Sequence, residues 1–267
     1  MGKITKLLES FGQNKISDSS STFSQTITEL NLSKIELTKI DPRISVYHDP
    51  EGLIAENFKI LRSQILHPRT GLPSRFVLIT SAIPGEGKSY TAINLAFSFA
   101  KSVPTILVET DLRKPSFDKF LGISPSTGLA DYFLKGLPLT EIVFETDYSN
   151  LYLLAVGGNY HPLKDVFSSE KVVNLLEDLR KTFSGFFFLF DSAPLMVASE
   201  TISLSRLVDG ILFVVRYGFS DRDIVAEALE KVGRSKLLGF VFNAYHLSSL
   251  GLFSSKLKYV KYMSSNY

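Results

Sequence analysis

The 267-residue chain contains no cysteine. That absence excludes disulfides and thiolate-held metals or iron–sulfur clusters, and it fits a reducing compartment. An excess of one charge is also missing. With 29 basic and 27 acidic residues the formal net charge is +2, too balanced for nucleic acid or a strongly acidic partner. Long hydrophobic runs are absent too. The most apolar stretches, GFFFLFDSAPLMV and GILFVVRYGF, are short or carry charge, whereas a membrane-spanning helix needs roughly 20 mostly apolar residues. The opening MGKITKLLESF has no secretory-leader pattern. These absences predict a cytoplasmic protein with no transmembrane segment of its own, whose membrane role, if any, is peripheral.

What is present is a composition, 45% hydrophobic, able to build one large core. Ile4, Leu7, Leu8 and Phe11 fall on one helical face, and the serine-rich KISDSSSTFSQT that follows reads as a linker, so residues 1–41 are expected to tether an N-terminal helix. Order is expected to begin near DPRISVYHDP and continue through the helix LIAENFKILRSQIL. From there short runs rich in β-branched and aromatic residues (FVLIT, TILVE, LYLLAV, FFFLF, ILFVV, LLGFVF) alternate with amphipathic stretches such as SSEKVVNLLEDLRKTF and DRDIVAEALEKV. Apolar strands joined through helices predict an α/β fold, a doubly wound, mostly parallel sheet whose ligands bind beyond the carboxyl ends of its strands.

Three of those strand ends carry chemistry. After FVLIT comes SAIPGEGKSY, which matches the phosphate-loop pattern GxxxxGK[ST] except for Ala82 at the first glycine position. Pro84, Gly85, Glu86 and Gly87 would turn backbone N–H groups onto phosphate, with Lys88, Ser89 and Tyr90 opening the next helix. Lys88 would reach the β- and γ-phosphates, and Ser89 would ligate Mg2+. TILVETDLRKP runs a strand into Glu109 and Asp111, with Arg113 two further on. Acids two apart on an extended strand share a face, so both could look at one metal or one hydroxyl. Asp191 ends the apolar run of GFFFLFDSAP, as a Mg2+-orienting acid would. Each acid alone could cap a helix or solvate a strand end.

From about residue 42 to 267 the chain resembles the bacterial tyrosine kinases that regulate capsule and exopolysaccharide synthesis. These are P-loop ATPases sharing the fold of partition and septum-site ATPases. SAIPGEGKS resembles their Walker A motif, LVETDLRKP their Walker A′ motif and FLFDSAP their Walker B motif. The resemblance implies ATP and Mg2+ as cofactors and residues 42–248 as the kinase domain. It carries Lys88, Glu109, Asp111 and Asp191 over as catalytic and Ser89, Asp111 and Asp191 as metal ligands. It also places Arg216 and Asn243 in the nucleotide pocket. It further implies a homo-oligomeric ring held through Glu56, Lys59 and Arg62, and a separate transmembrane activator or polysaccharide co-polymerase that recruits the chain to the inner face of the plasma membrane. The sequence departs from the family at Glu109, where aspartate is usual, at Ala193, where proline is usual, and at Lys59, where arginine is usual.

The chain ends in KYVKYMSSNY, and residues 249–267 form a tail in which Tyr259, Tyr262 and Tyr267 are the phosphoacceptors the resemblance implies; Tyr245 is expected to pack on the core. The stripe Glu56, Lys59, Arg62 would lie opposite Ile54, Phe58, Leu61 and Ile65, or serve only as an intrahelical salt-bridge ladder. Two other functions compete. One is a nucleotide switch that binds membranes or partners without phosphorylating tyrosine. Ile83 stands where such ATPases carry a second lysine, yet Phe253, Leu257 and Val260 among Lys256, Lys258 and Lys261 would suit a membrane-surface helix. The other is an ATP-binding structural regulator without required catalysis.

Overall fold

A computed structural model describes residues 30–158 and 169–244. The N-terminal helix and linker, the tail tyrosines, Tyr245 and the lysine-flanked apolar series all lie outside the described residues.

The described chain forms one eight-stranded sheet flanked by helices on both faces. In chain order the strands are β1 (Ser33–Ile35), β2 (Phe76–Ser81), β3 (Thr105–Glu109), β4 (Phe144–Thr146), β5 (Leu151–Leu154), β6 (Phe187–Asp191), β7 (Gly210–Arg216) and β8 (Leu237–Asn243). The helices are α1 (Ser45–His48), α2 (Leu53–Leu66), α3 (Lys88–Ala100), α4 (Phe117–Leu121), α5 (Leu129–Lys135), α6 (Leu139–Ile142), α7 (Ser169–Thr182), α8 (Ser199–Leu207) and α9 (Arg222–Val232). Spatial order is β1-β4-β5-β3-β6-β2-β7-β8, and every pairing is parallel except β4 with β5. This is the doubly wound, mostly parallel sheet that the alternation of strands and helices predicts.

The period-2 alternation of each strand sorts its side chains into two cores. Val77, Ile79, Leu107, Leu189 and Leu212 face α2 and α3, while Phe76, Leu78, Ile106, Phe188 and Phe190 face α5, α7 and α8. On the second face the aromatic residues do much of the filling. Phe76 stacks on Phe188 at 4.3 Å and on Phe190 at 5.7 Å between centroids, pairings that add about 0.5–1.5 kcal/mol each beyond the area they bury.

The fold reaches further upstream than residue 42. Ser33–Ile35 pairs with β4, Leu37 is buried, and Leu30 and Leu32 pack against the core. A three-residue edge strand is too short to show a period, so this stretch reads as linker in the sequence. The burial of α2 is also rotated from the expected series. Ala55, Phe58, Ile65 and Leu66 are buried, whereas Ile54 is 47% exposed, as are Leu53 at 56% and Ile60 at 49%.

Candidate active site

Strand order brings the chemistry together. β6 lies between β2 and β3, and its last residue, Asp191, is in register with Ile79 on one side and Glu109 on the other. The loop that follows β2 therefore opens directly over the two acidic strand ends.

That loop is built by its own residues. Gly85 and Gly87 have φ of +88° and +96°, the left-handed region that favours glycine. Gly87 has a second reason to lack a side chain, because a Cβ there would sit 2.0 Å from Asn243 Nδ2. Asn243 donates from that nitrogen to the Glu86 carbonyl at 2.8 Å, so the end of β8 is locked onto the loop. The Glu86 carboxylate is fully buried. It accepts from the Ile83 N–H at 2.8 Å and from the Ser220 hydroxyl, tying the loop to the segment after β7. Arg216 Nη1 donates to the Gly85 carbonyl at 3.3 Å, and its guanidinium lies over Phe219. Ala82 is buried with Leu195, Phe213 and Ala228, so alanine at the first glycine position is a packing residue.

Lys88 opens α3 and is buried, with its charge bearing on both Asp111 and Asp191. Burial pushes the Asp191 carboxyl up to about 7, with the Lys88 charge and the nearby Ser89 hydroxyl pulling the other way. Neither Asp191 oxygen has a hydrogen-bond partner of good geometry. Burial also raises Asp111, against the pull of the Lys114 amide and Lys88. Two orphaned, buried carboxylate oxygens beside a second carboxylate and a hydroxyl are a donor set that fits Mg2+, which takes oxygen ligands and keeps room for phosphate and water. Among the described residues no cluster of three or more acidic, histidine or cysteine side chains could hold a metal unaided. Ser89, Asp111 and Asp191 would hold the ion together with substrate oxygens.

The strand ends at Glu109, so the extended backbone that a shared face with Asp111 would need stops there, although both carboxylates bear on Asp191. Glu109 is buried, with Oε1 accepting from the Ser116 and Phe117 amides at 2.5 and 2.9 Å and Oε2 from Val156 at 3.2 Å. Tyr90 lies in the first turn of α3 as expected; its ring packs toward Phe58 at 6.2 Å and its hydroxyl toward Ser45, which leaves its backbone amide as the group that would meet phosphate. The oligomer stripe is engaged within the chain: Lys59 lies 3.2 Å from Glu56 and 3.5 Å from Glu51, and Arg62 Nη1 donates to the Ser98 carbonyl at 2.6 Å. Ala193, at the usual proline position, is buried, and its carbonyl accepts from Thr80 and Thr201.

Sequence reasoning missed Ser220, which holds Glu86, and Glu200, which grips Arg113 Nε and Nη2 at 2.8 and 3.1 Å. These partners lie 134 and 87 residues apart, with no local pattern to announce them.

A phosphate loop after one core strand, facing the acids that end the adjacent β6 and, beyond it, β3, defines a P-loop ATPase fold. The fold is that of the septum-site ATPases: the septum site-determining protein MinD of Pyrococcus horikoshii, complexed with Mg-ADP, superimposes with a TM-score of 0.54 at 22% identity, over 64% of this chain and 70% of its own. No family model matches the chain. Among curated relatives, the tyrosine-protein kinase YwqD of Bacillus subtilis is 28% identical over 220 residues, 81% of this chain and 92% of that protein. The succinoglycan biosynthesis transport protein ExoP of Rhizobium meliloti is 30% identical over 211 residues, 77% of this chain but 27% of ExoP, so the chain spans about a quarter of that relative. The chimerical protein CapA2B2 superimposes with a TM-score of 0.67 at 25% identity, over 82% of this chain and 97% of its own. By sequence the chain is similar to tyrosine-protein kinases of bacteria over most of their length.

Proposed function

We propose that this chain is an ATP-dependent protein-tyrosine autokinase of capsule or exopolysaccharide synthesis, transferring the γ-phosphoryl of ATP to Tyr259, Tyr262 and Tyr267 of a neighbouring subunit's tail. The observation that carries the reading is the Asp191 carboxylate, buried and without a hydrogen-bond partner, beneath a phosphate loop whose lysine bears on it and on Asp111. An ATPase switch would share that site. Ile83, however, packs against the cluster of Ala82, Leu195 and Phe213, an apolar environment at the position where the switch carries a lysine.

Mg2+ held by Ser89, Asp111 and Asp191 would neutralise charge on the β- and γ-phosphates. The chain's residues do the rest. The loop amides and Lys88 orient the triphosphate. Of the acids that end and follow β3, Glu109 has both oxygens bonded to amides, so Asp111, through the oxygen that the metal leaves free, would take the tyrosine proton. The phenolate oxygen then forms a bond to Pγ as the bond from Pγ to the bridging oxygen breaks, and ADP leaves. Arg216 and Asn243 brace the loop from outside, which supports a role in shaping the nucleotide pocket.

The ring is part of the same reading. Leu53, Ile54 and Ile60 expose apolar surface on α2 beside Glu56 and Lys59, which suits a subunit contact. Among the described residues no helix is long and apolar enough to cross a membrane. A transmembrane partner would bring the chain to the inner face of the plasma membrane, a reading that the name of ExoP, a succinoglycan biosynthesis transport protein, supports.

Incubation with Mg·ATP followed by mass spectrometry tests the reading. Phosphate is expected on tyrosines of residues 259–267 and absent in Lys88→Met, whose ATP binding or turnover should fall at least about tenfold. Vesicle binding by the tail with no tyrosine phosphate would favour the switch.

A further inference from the structure

The carboxylate of Glu109 is the one acid at the strand ends whose oxygens are both committed to backbone amides. Its three donors belong to two different segments: Ser116 and Phe117 begin α4, and Val156 lies just past β5. Glu109 itself ends β3, so the side chain closes residues 109–117 into a loop by joining its first residue to its last two. Asp111 sits inside that loop.

Two other fastenings hold the same loop. Thr110 donates to the Asp191 carbonyl through both its N–H and its hydroxyl, at 2.8 Å each. Arg113 grips Glu200 and donates to the Val197 carbonyl at 2.9 Å. The loop is thus pinned to β6 near its start and to the α8 region at its middle, while Glu109 and the burial of the Phe117 ring in the core fix its end. The Glu109 oxygens face the amides that open α4 and that of Val156 past β5, while the carboxylate still bears on Asp191 at the end of β6.

We propose that Glu109 is a positioning residue, a clamp that fixes the loop carrying Asp111, and that it takes no proton from the acceptor tyrosine. The inference rests on the kinase reading for its catalytic consequence but on geometry alone for the clamp. The glutamate length is then a requirement of the clamp. Aspartate would withdraw the carboxylate by about 1.5 Å, roughly one C–C bond. Contacts now at 2.5 to 3.2 Å cannot all survive that retreat within hydrogen-bonding distance. Glutamine would keep the length and one carbonyl oxygen for the Ser116 and Phe117 amides, losing only the acceptor for Val156.

The two roles therefore order the variants oppositely. A base cannot survive conversion to an amide and would lose about 10²- to 10⁴-fold in Glu109→Gln while tolerating Glu109→Asp. The clamp predicts that Glu109→Gln keeps tyrosine phosphorylation within about tenfold of the wild type and that Glu109→Asp loses more than Glu109→Gln. Amide hydrogen exchange on the full chain gives a second readout that needs no activity. Ser116 and Phe117 should exchange faster in Glu109→Asp than in Glu109→Gln, while the amides of β2 and β6 stay as protected as in the wild type. That local pattern separates positioning from a general loss of stability. Glu109→Asp equal to or more active than Glu109→Gln, or equal exchange at Ser116 and Phe117 in the two variants, would overturn the clamp. Should the wild type phosphorylate no tyrosine, the kinase reading fails, and the exchange comparison still decides the clamp.

Discussion

Asp191 is where burial and function conflict most directly. Its folded carboxyl titrates near 7 and an unfolded aspartate near 3.9, so between those values the native chain holds a proton that the unfolded chain releases. A raised folded pKa contributes stability that is fully present below about 4 and is lost as pH rises through about 7. Urea melts of the metal-free, nucleotide-free protein should accordingly show Asp191→Asn gaining on the wild type between about pH 3 and about pH 8, with a negligible difference at the lower pH. Parallel melts at both values would mean that the carboxylate is already ionised and compensated. Lys88, Ser89 and Asp191 were legible in the sequence because each sits in a contiguous motif, a strand running straight into its functional residue. The orientation of Glu109 was not. Its donors lie 7, 8 and 47 residues away, and the strand stops at the residue where a shared face with Asp111 required it to continue.

Helix α3 shows how one element serves both stability and site. Its N-terminus presents Lys88 and Ser89, and its C-terminal carbonyls, which have no partner within the helix, are satisfied from outside. Arg62 bonds the Ser98 carbonyl, Ser102 and Val103 bond that of Phe99, and Asn150 bonds that of Ala100. The positive charge of Arg62 also suits the negative end of the helix dipole. Arg62→Ala should therefore destabilise the monomer by about 1–3 kcal/mol, read from denaturant midpoints at constant slope. An unchanged midpoint would show that water replaces the guanidinium without loss. The six long strands and the helices between them were readable from hydrophobic runs and their spacing. β1 and β4 escaped because three residues at a sheet edge give no alternation to read. The exposed side of α2 escaped because Leu53, Ile54 and Ile60 interrupt the amphipathic pattern with apolar surface that the described chain leaves uncovered.

For the whole molecule, that uncovered surface and the tail belong to one proposal: subunits would meet through α2, and each would offer its tyrosines to a neighbour. Because Arg62 is bound to α3, Glu56→Ala with Lys59→Ala is the cleaner way to weaken the contact. The double variant should scatter light as a folded monomer at concentrations where the wild type is oligomeric. A wild type that stays monomeric at high concentration with ATP would remove the ring. Phosphorylation adds about −1.5 to −2 charges per tyrosine, so a fully modified tail changes from basic to acidic and should leave a site containing Asp111 and Asp191. The most direct test of the central claim mixes two chains with Mg·ATP: one carries Lys88→Met and an intact tail, and the other is wild type truncated after residue 248. Mass spectrometry is expected to find phosphotyrosine at residues 259, 262 and 267 of the Lys88→Met chain only when its truncated partner is present. Bound ATP with no phosphate on any tyrosine of either chain would contradict the account.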